Sequence, residues 1–139
     1  MDLPPSTTQH VFSGPRGSLR VVLPGAAVVL HVSEGYLDVG LARHMIAQTQ
    51  AVLDRVPLVA LFHDWELVTG YESAARELLT SYVDTIRPQM AAAHILVRSR
   101  LVATGVAIAN ALLGGTLQAT SSRPVFEAAL REALARNAA

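Results

Sequence analysis

The chain contains neither cysteine nor lysine: all eleven of its basic side chains are arginine. Without cysteine there are no disulfides, thiolate nucleophiles or cysteine-ligated metals, and redox arguments leave the compartment open. Without lysine there is no Schiff-base chemistry, no phosphate-loop lysine and no lysine general base. Charge of either sign is scarce, at 16% of residues, and eleven carboxylates bring the formal net charge to zero. No basic stripe exists to follow a phosphate backbone, so nucleic acid is excluded as an expected partner.

Long hydrophobic runs are also missing. The most apolar stretch, Leu101 to Leu113, is interrupted by Thr104, Gly105 and Asn110. It falls short of the roughly 20 residues that span a bilayer, so it reads as a buried helix and no membrane span is expected. Met1 to Gly17 carries Asp2 early and has no apolar core, which leaves no secretory or transit signal and makes the cytoplasm the expected location.

What is present is apolar: 51% of 139 residues. That length suits one domain, and that apolar share suits a core covered on more than one side. Residues 1–17, with Pro4, Pro5, Gly14, Pro15 and Gly17, suit a flexible, turn-rich lead-in with one short strand near Val11. Residues 18–139 carry the domain. Leu19 to Leu23 and Ala26 to Val32 flank the turn dipeptide Pro24-Gly25 and read as an antiparallel hairpin. Leu41, Ala42, Met45, Ile46, Thr49, Val52 and Leu53 recur at helical spacing. Leu58 to Phe62 is an unbroken apolar run of strand length, as in a parallel strand buried on both faces.

Thr69 and Glu72 have the spacing of a capping box ahead of a second helix with an inner stripe of Ala75, Leu78, Leu79, Tyr82 and Ile86. His94 to Val97 reads as a third buried strand. Leu101 to Leu113 reads as a third helix, closed by Gly114-Gly115. Leu117 to Thr120 is a short last strand, and Pro124 opens a final helix that turns Val125, Phe126, Ala129, Leu130, Ala133 and Leu134 inward. The pattern predicts an α/β fold: an N-terminal β-hairpin, then alternating helices and mostly parallel strands, about five strands and four helices.

Two stretches in this order resemble the STAS domain of anti-sigma-factor antagonists and sulfate-transporter tails. Gly35-Tyr36-Leu37-Asp38 is similar to the family's Gly-x-Leu-Asp turn before the first helix. Asp64, followed eight residues later by Glu72-Ser73-Ala74-Ala75, with Val68 and Tyr71 between, is similar to the family's Asp-x-x-x-Val-x-x-Ile-Asp-Ser-Ser-Gly segment. The resemblance extends over about Leu19 to Ala135. It implies a non-enzymatic regulatory module that binds a protein partner, with Ser73 at the position of the phosphorylated serine. Glu72 stands for the usual aspartate, and Ala74 and Ala75 stand for the second serine and the glycine. Trp65-Glu66, Gly70-Tyr71 and Arg76 look more like a divergent bacterial subgroup related to both STAS and CRAL-TRIO lipid-carrier domains, which implies a small apolar ligand as the alternative.

The candidate site follows. The resemblance makes Ser73 the candidate phosphoacceptor, and a helix's first turn suits that role by offering unpaired N–H groups and a positive dipole end to added negative charge. Glu72 and Glu77 oppose that charge and Arg76 offsets it. Asp64, Trp65, Glu66, Tyr71, Glu72 and Arg76 form the candidate partner or ligand surface, read as a loop beyond a strand's C-terminal end. His63 and His94 lack a spaced third ligand, so no metal is expected, and no cofactor is implied. A hydrolase built on Ser73, His63 and Asp64 lacks a Gly-x-Ser-x-Gly elbow and an oxyanion loop, so an enzyme is not expected. The small residues Ala103, Gly105, Ala107, Ala109 and Ala111 suit close core packing, with a homo-oligomer surface or an apolar-ligand groove as the other readings.

Overall fold

Alternation of apolar side chains along successive strands decides the layering. The structure, a computed structural model, describes residues 1–138. Its elements are β1 (Thr8–Ser13), β2 (Gly17–Gly25), β3 (Val28–Leu37), α1 (Val39–Leu53), β4 (Val59–Tyr71), α2 (Ser73–Ile86), β5 (Met90–Val97), α3 (Arg100–Leu112), β6 (Gln118–Thr120) and α4 (Arg123–Ala138). One 6-stranded sheet runs in sequence order β1-β2-β3-β4-β5-β6. β1, β2 and β3 pair antiparallel, and β3, β4, β5 and β6 pair parallel. This is the expected α/β order with one strand more.

The added strand comes from the lead-in. Residues Thr8–Ser13 pair with β2 from Thr8 opposite Leu23 to Ser13 opposite Ser18, so the sheet begins within the first 17 residues. The hairpin turn falls at Ala26 and Ala27, one step past Pro24-Gly25, which lie at the end of β2 next to a register shift. Gly35 has φ +80, and an added Cβ would press against the Arg16 carbonyl; the bend at the end of β3 therefore needs glycine.

The core is split by the sheet. Val21, Val29, Leu61, Ile95 and Val97 point to one face and pack with α1, α2 and α3. Val22, Leu30, Ala60, Phe62 and Leu96 point to the other and pack with Phe126, Leu130 and Ala133 of α4. Because successive strand side chains take opposite faces, each neighbour pair in a central strand serves a different layer. Val125 is exposed, contrary to its expected inward position, since it lies on the solvent side of the first turn of α4.

Candidate functional site

The largest departure from the sequence reading is β4. It extends 13 residues, from Val59 to Tyr71, so the segment expected as a loop after Phe62 is strand. Pairing with both neighbours carries it on: Asp64 lies opposite Val32 and Leu96, and Trp65 opposite Val97. Strand alternation then divides Asp64, Trp65 and Glu66, which are not one surface.

Asp64 and Glu66 face α4. The Arg123 guanidinium donates to both Asp64 carboxylate oxygens at 3.0 and 2.9 Å and to Glu66 at 3.1 Å. Arg98 reaches the other Glu66 oxygen at 3.1 Å, and Glu127 completes the cluster at 3.3 Å from Arg123. The hydrogen bond from Arg123 holds the Glu66 carboxyl below its ordinary range, against the opposing effect of burial. Burial opposes the charge of Arg123 too, but its hydrogen bonds to Asp64 and Glu66 outweigh that and keep it above the usual guanidinium range. This cluster ties the start of α4 to β4 and consumes two residues expected to face a partner.

Trp65 faces the opposite layer and is 8% exposed. Its ring lies 5.0 Å, centroid to centroid, from His63, which lies 5.0 Å from His31 on β3. His31 and His63 are buried and their Nδ1 atoms are 3.4 Å apart. Burial pushes the His63 imidazole down to about 4, and burial together with His63 pushes His31 well below its ordinary value. His94 lies on the other face, stacked on Phe62 at 5.0 Å, so His63 and His94 do not converge.

Between this layer and helices α2 and α3 lies a cavity of about 60 Å³. Leu61, Ile95 and Val106 wall it, the surface it exposes is almost wholly apolar, and His63, Trp65, Tyr71, Arg76 and Thr80 also line it. Trp65 Nε1 and Arg76 Nε are buried without a hydrogen-bond partner. The Tyr71 phenol packs against Gly105, where any Cβ would collide with it. That contact accounts for the glycine in α3. The small residues of this helix do not share one face: Gly105 and Ala109 are buried, while Ala107 and Ala111 are exposed.

Ser73 and Glu72 lie at the other end of β4. Ser73 is the first residue of α2 and is exposed. Glu72 is the N-cap of α2, but its carboxylate does not cap that helix. It accepts instead from the Val39 N–H of α1 at 3.0 Å. Thr69 lies within β4, so the expected capping box does not form. Asp38 caps α1, accepting from Leu41 N–H at 2.9 Å. The leading ends of α1 and α2 are thus adjacent, and α2 begins without a side-chain cap.

Sequence reasoning missed His31 and Arg123. Nothing local marks His31, because its partner is set by the β3/β4 register. Arg123 did carry a signal: a cation in a helix's first turn opposes the dipole and calls for carboxylates nearby.

A mixed sheet in sequential strand order, opened by antiparallel strands and covered by four helices, defines an α/β domain of the STAS, or SpoIIAA-like, fold. Solved structures agree. The chain is similar to the anti-sigma factor antagonist SpoIIAA in its unphosphorylated form, with TM-score 0.58 and 11% identity over 80% of this chain and 95% of that one. It is similar to an anti-sigma factor antagonist from Mycobacterium paratuberculosis, with TM-score 0.54 and 17% identity over 94% and 99% of the two chains. An uncharacterized protein of SpoIIAA-like fold from Shewanella loihica gives TM-score 0.56 and 11% identity over 86% and 90%. No protein-family model and no curated protein matches the chain. No helix among the described residues is long and apolar enough to cross a membrane.

Proposed function

We propose that the chain is a non-enzymatic, STAS-type regulatory module that binds a protein partner through the leading edge of α2, with the Ser73 hydroxyl as its modification site. The observation that carries this reading is the exposure of Ser73 at the start of a helix without a side-chain cap. The first N–H groups of α2 point toward any phosphate placed there and the helix dipole favours it. Glu72 is occupied with Val39, and Arg76 is one turn on along the same helix. Two fold neighbours are anti-sigma factor antagonists, one of them described in its unphosphorylated form. Asp64 and Glu66 leave the partner surface for the Arg123 cluster, so the surface reduces to Glu72, Ser73 and their exposed neighbours on α2.

The test is co-purification from the native host with Ser73, Ser73→Ala and Ser73→Asp forms, scoring the captured proteins and the Ser73 phosphopeptide together. A partner held by Ser73→Ala and lost by Ser73→Asp is the expected result. Equal recovery by all three removes the switch, and recovery of no partner by any of them removes the module.

A second reading, a small apolar ligand held between the sheet and α3, has its own support in the cavity beside Trp65 and Tyr71.

A further inference from the structure

The sheet ends on β1 and β6, two edges of unlike character. β6 is 3 residues long, and shortness is one of the ways proteins keep an edge from pairing. β1 is 6 residues long and carries no lysine, arginine, carboxylate or proline, the side chains that usually block an edge. It pairs with β2 on one side and has no strand on the other among the described residues. All of its residues are exposed except Phe12, which is partly buried and stacks on His44 of α1 with ring centroids 4.0 Å apart. Arg20 of β2 donates to the Gln9 side chain at 3.4 Å, so its charge stands one strand back from the edge.

Which backbone groups of β1 face outward follows from its ladder. Gly14 N–H donates to the Gly17 carbonyl at 2.9 Å, which makes Gly14 and Gly17 a hydrogen-bonded pair. Such pairs recur at every second position of an antiparallel ladder, so Phe12, His10 and Thr8 turn their N–H and C=O groups toward Leu19, Val21 and Leu23. Tyr36 N–H donates to the Arg16 carbonyl at 3.0 Å, which fits the same alternation by turning the even-numbered residues of β2 toward β3. Gln9, Val11 and Ser13 therefore present their N–H and C=O groups at the open edge. Val11 is the centre of that set, and its side chain, 68% exposed, lies on the face opposite the layer that takes Phe12, Leu19 and Val21.

We propose that β1 pairs antiparallel with β1 of a second copy of this chain, Val11 lying opposite Val11 of the second copy on a two-fold axis, so that the two sheets become one. The free groups form their own complement. About this axis Gln9 meets Ser13, Val11 meets Val11 and Ser13 meets Gln9, each as a hydrogen-bonded pair, and no outward N–H or C=O of the three residues is left over. The exposed Val11 side chains cover each other, and no like charges meet because the strand carries none. An edge of this length buries less than the roughly 800 Å² per partner of a stable interface, so the dimer is weak and concentration-dependent, with Kd in roughly the micromolar to submillimolar range. Neither Ser73 nor the cavity takes part.

Sedimentation velocity of the full chain, in a concentration series up to about 1 mM, is expected to show a reversible equilibrium between monomer and dimer. Val11→Lys sets like charges against each other at the axis and is expected to weaken the dimer about tenfold or more. The chain has no cysteine, so Val11→Cys introduces a single thiol, and the Cα separation of about 5.5 Å in a hydrogen-bonded pair is one that a disulfide spans. Mild oxidation is expected to link Val11→Cys into a covalent dimer and to leave Thr8→Cys, displaced along the strand from the axis, largely unlinked. A chain that stays monomeric throughout the series overturns the proposal, and an edge reserved for the strand of another protein would give that result. A dimer that Val11→Lys leaves unchanged, or in which Val11→Cys links no faster than Thr8→Cys, overturns it as well. The wild-type series and the two cysteine variants decide the question even if Val11→Lys fails to fold.

Discussion

His31 Nδ1 and His63 Nδ1 face each other at 3.4 Å across the parallel β3/β4 ladder, inside the core. One ring must donate and the other accept, so the pair requires at least one neutral imidazole. Burial keeps His63 down at about 4 where its ordinary value is 6.5, and His31 is lowered as well. A histidine depressed in the folded state takes up its proton first in the unfolded chain. Its contribution is complete above pH 6.5 and is lost as pH falls toward 4. Urea denaturation at pH 7 and pH 5 should show the fold weakening with acid, by on the order of 2 kcal/mol from His63 alone. A flat profile over that window would mean that the rings are not buried as a neutral pair.

Arg123 is 39% exposed while its partners Asp64 and Glu66 are 14% and 18% exposed, so solvent screens only one side of the cluster. Arg123→Met should cost about 1–2 kcal/mol in chemical denaturation, less than a fully buried pair because of that screening. Arg136→Met, which breaks an exposed pair with Glu132 within α4, should cost under about 0.5 kcal/mol. Equal costs would make the Arg123 cluster an ordinary surface contact.

Gly105→Ala sets two effects against each other. Alanine favours the helix by about 1 kcal/mol, but its Cβ enters the space of the Tyr71 ring and hydroxyl. Overpacking of this kind costs about 1–3 kcal/mol, so a net loss of stability is expected. In a Tyr71→Ala background the same substitution should become neutral or stabilising, because the obstructing ring is gone. Thermal denaturation of the four forms measures the coupling.

Glu72 links two helix starts through one hydrogen bond to Val39 N–H. Glu72→Gln keeps an acceptor oxygen and should change stability little. Glu72→Ala removes it and should cost about 1 kcal/mol, the usual effect of losing an acceptor at a helix N-terminus. Identical denaturation midpoints for the two variants would show that the link contributes nothing.

The order of helices and strands could be read from periodicity because each element needs its own apolar face whatever surrounds it. The buried residues Leu41, Ala42, Met45, Val52 and Leu53 of α1 show this directly, as does the unbroken run that becomes the first half of β4. The exposed Ser73 corner was also readable, from the helical stripe that begins at Ala75 and from the family resemblance, although the capping box expected from Thr69 and Glu72 does not form. Where β4 ends was not readable. His63-Asp64-Trp65-Glu66 has the polar content of a loop, and His63, Asp64 and Glu66 find their places only through partners distant in the chain, His31 and Arg123.

Sequence alone therefore determined the α/β order, the buried helix faces and an exposed serine at the leading end of α2, since these rest on interactions within a few residues. Tertiary structure decided that Asp64 and Glu66 meet Arg123 on one side of the sheet while His63 and Trp65 meet His31 and the cavity on the other. The physical reason is the two-residue period of a strand: a polar run that would share one surface as a loop is dealt alternately to two faces once its backbone pairs on both sides.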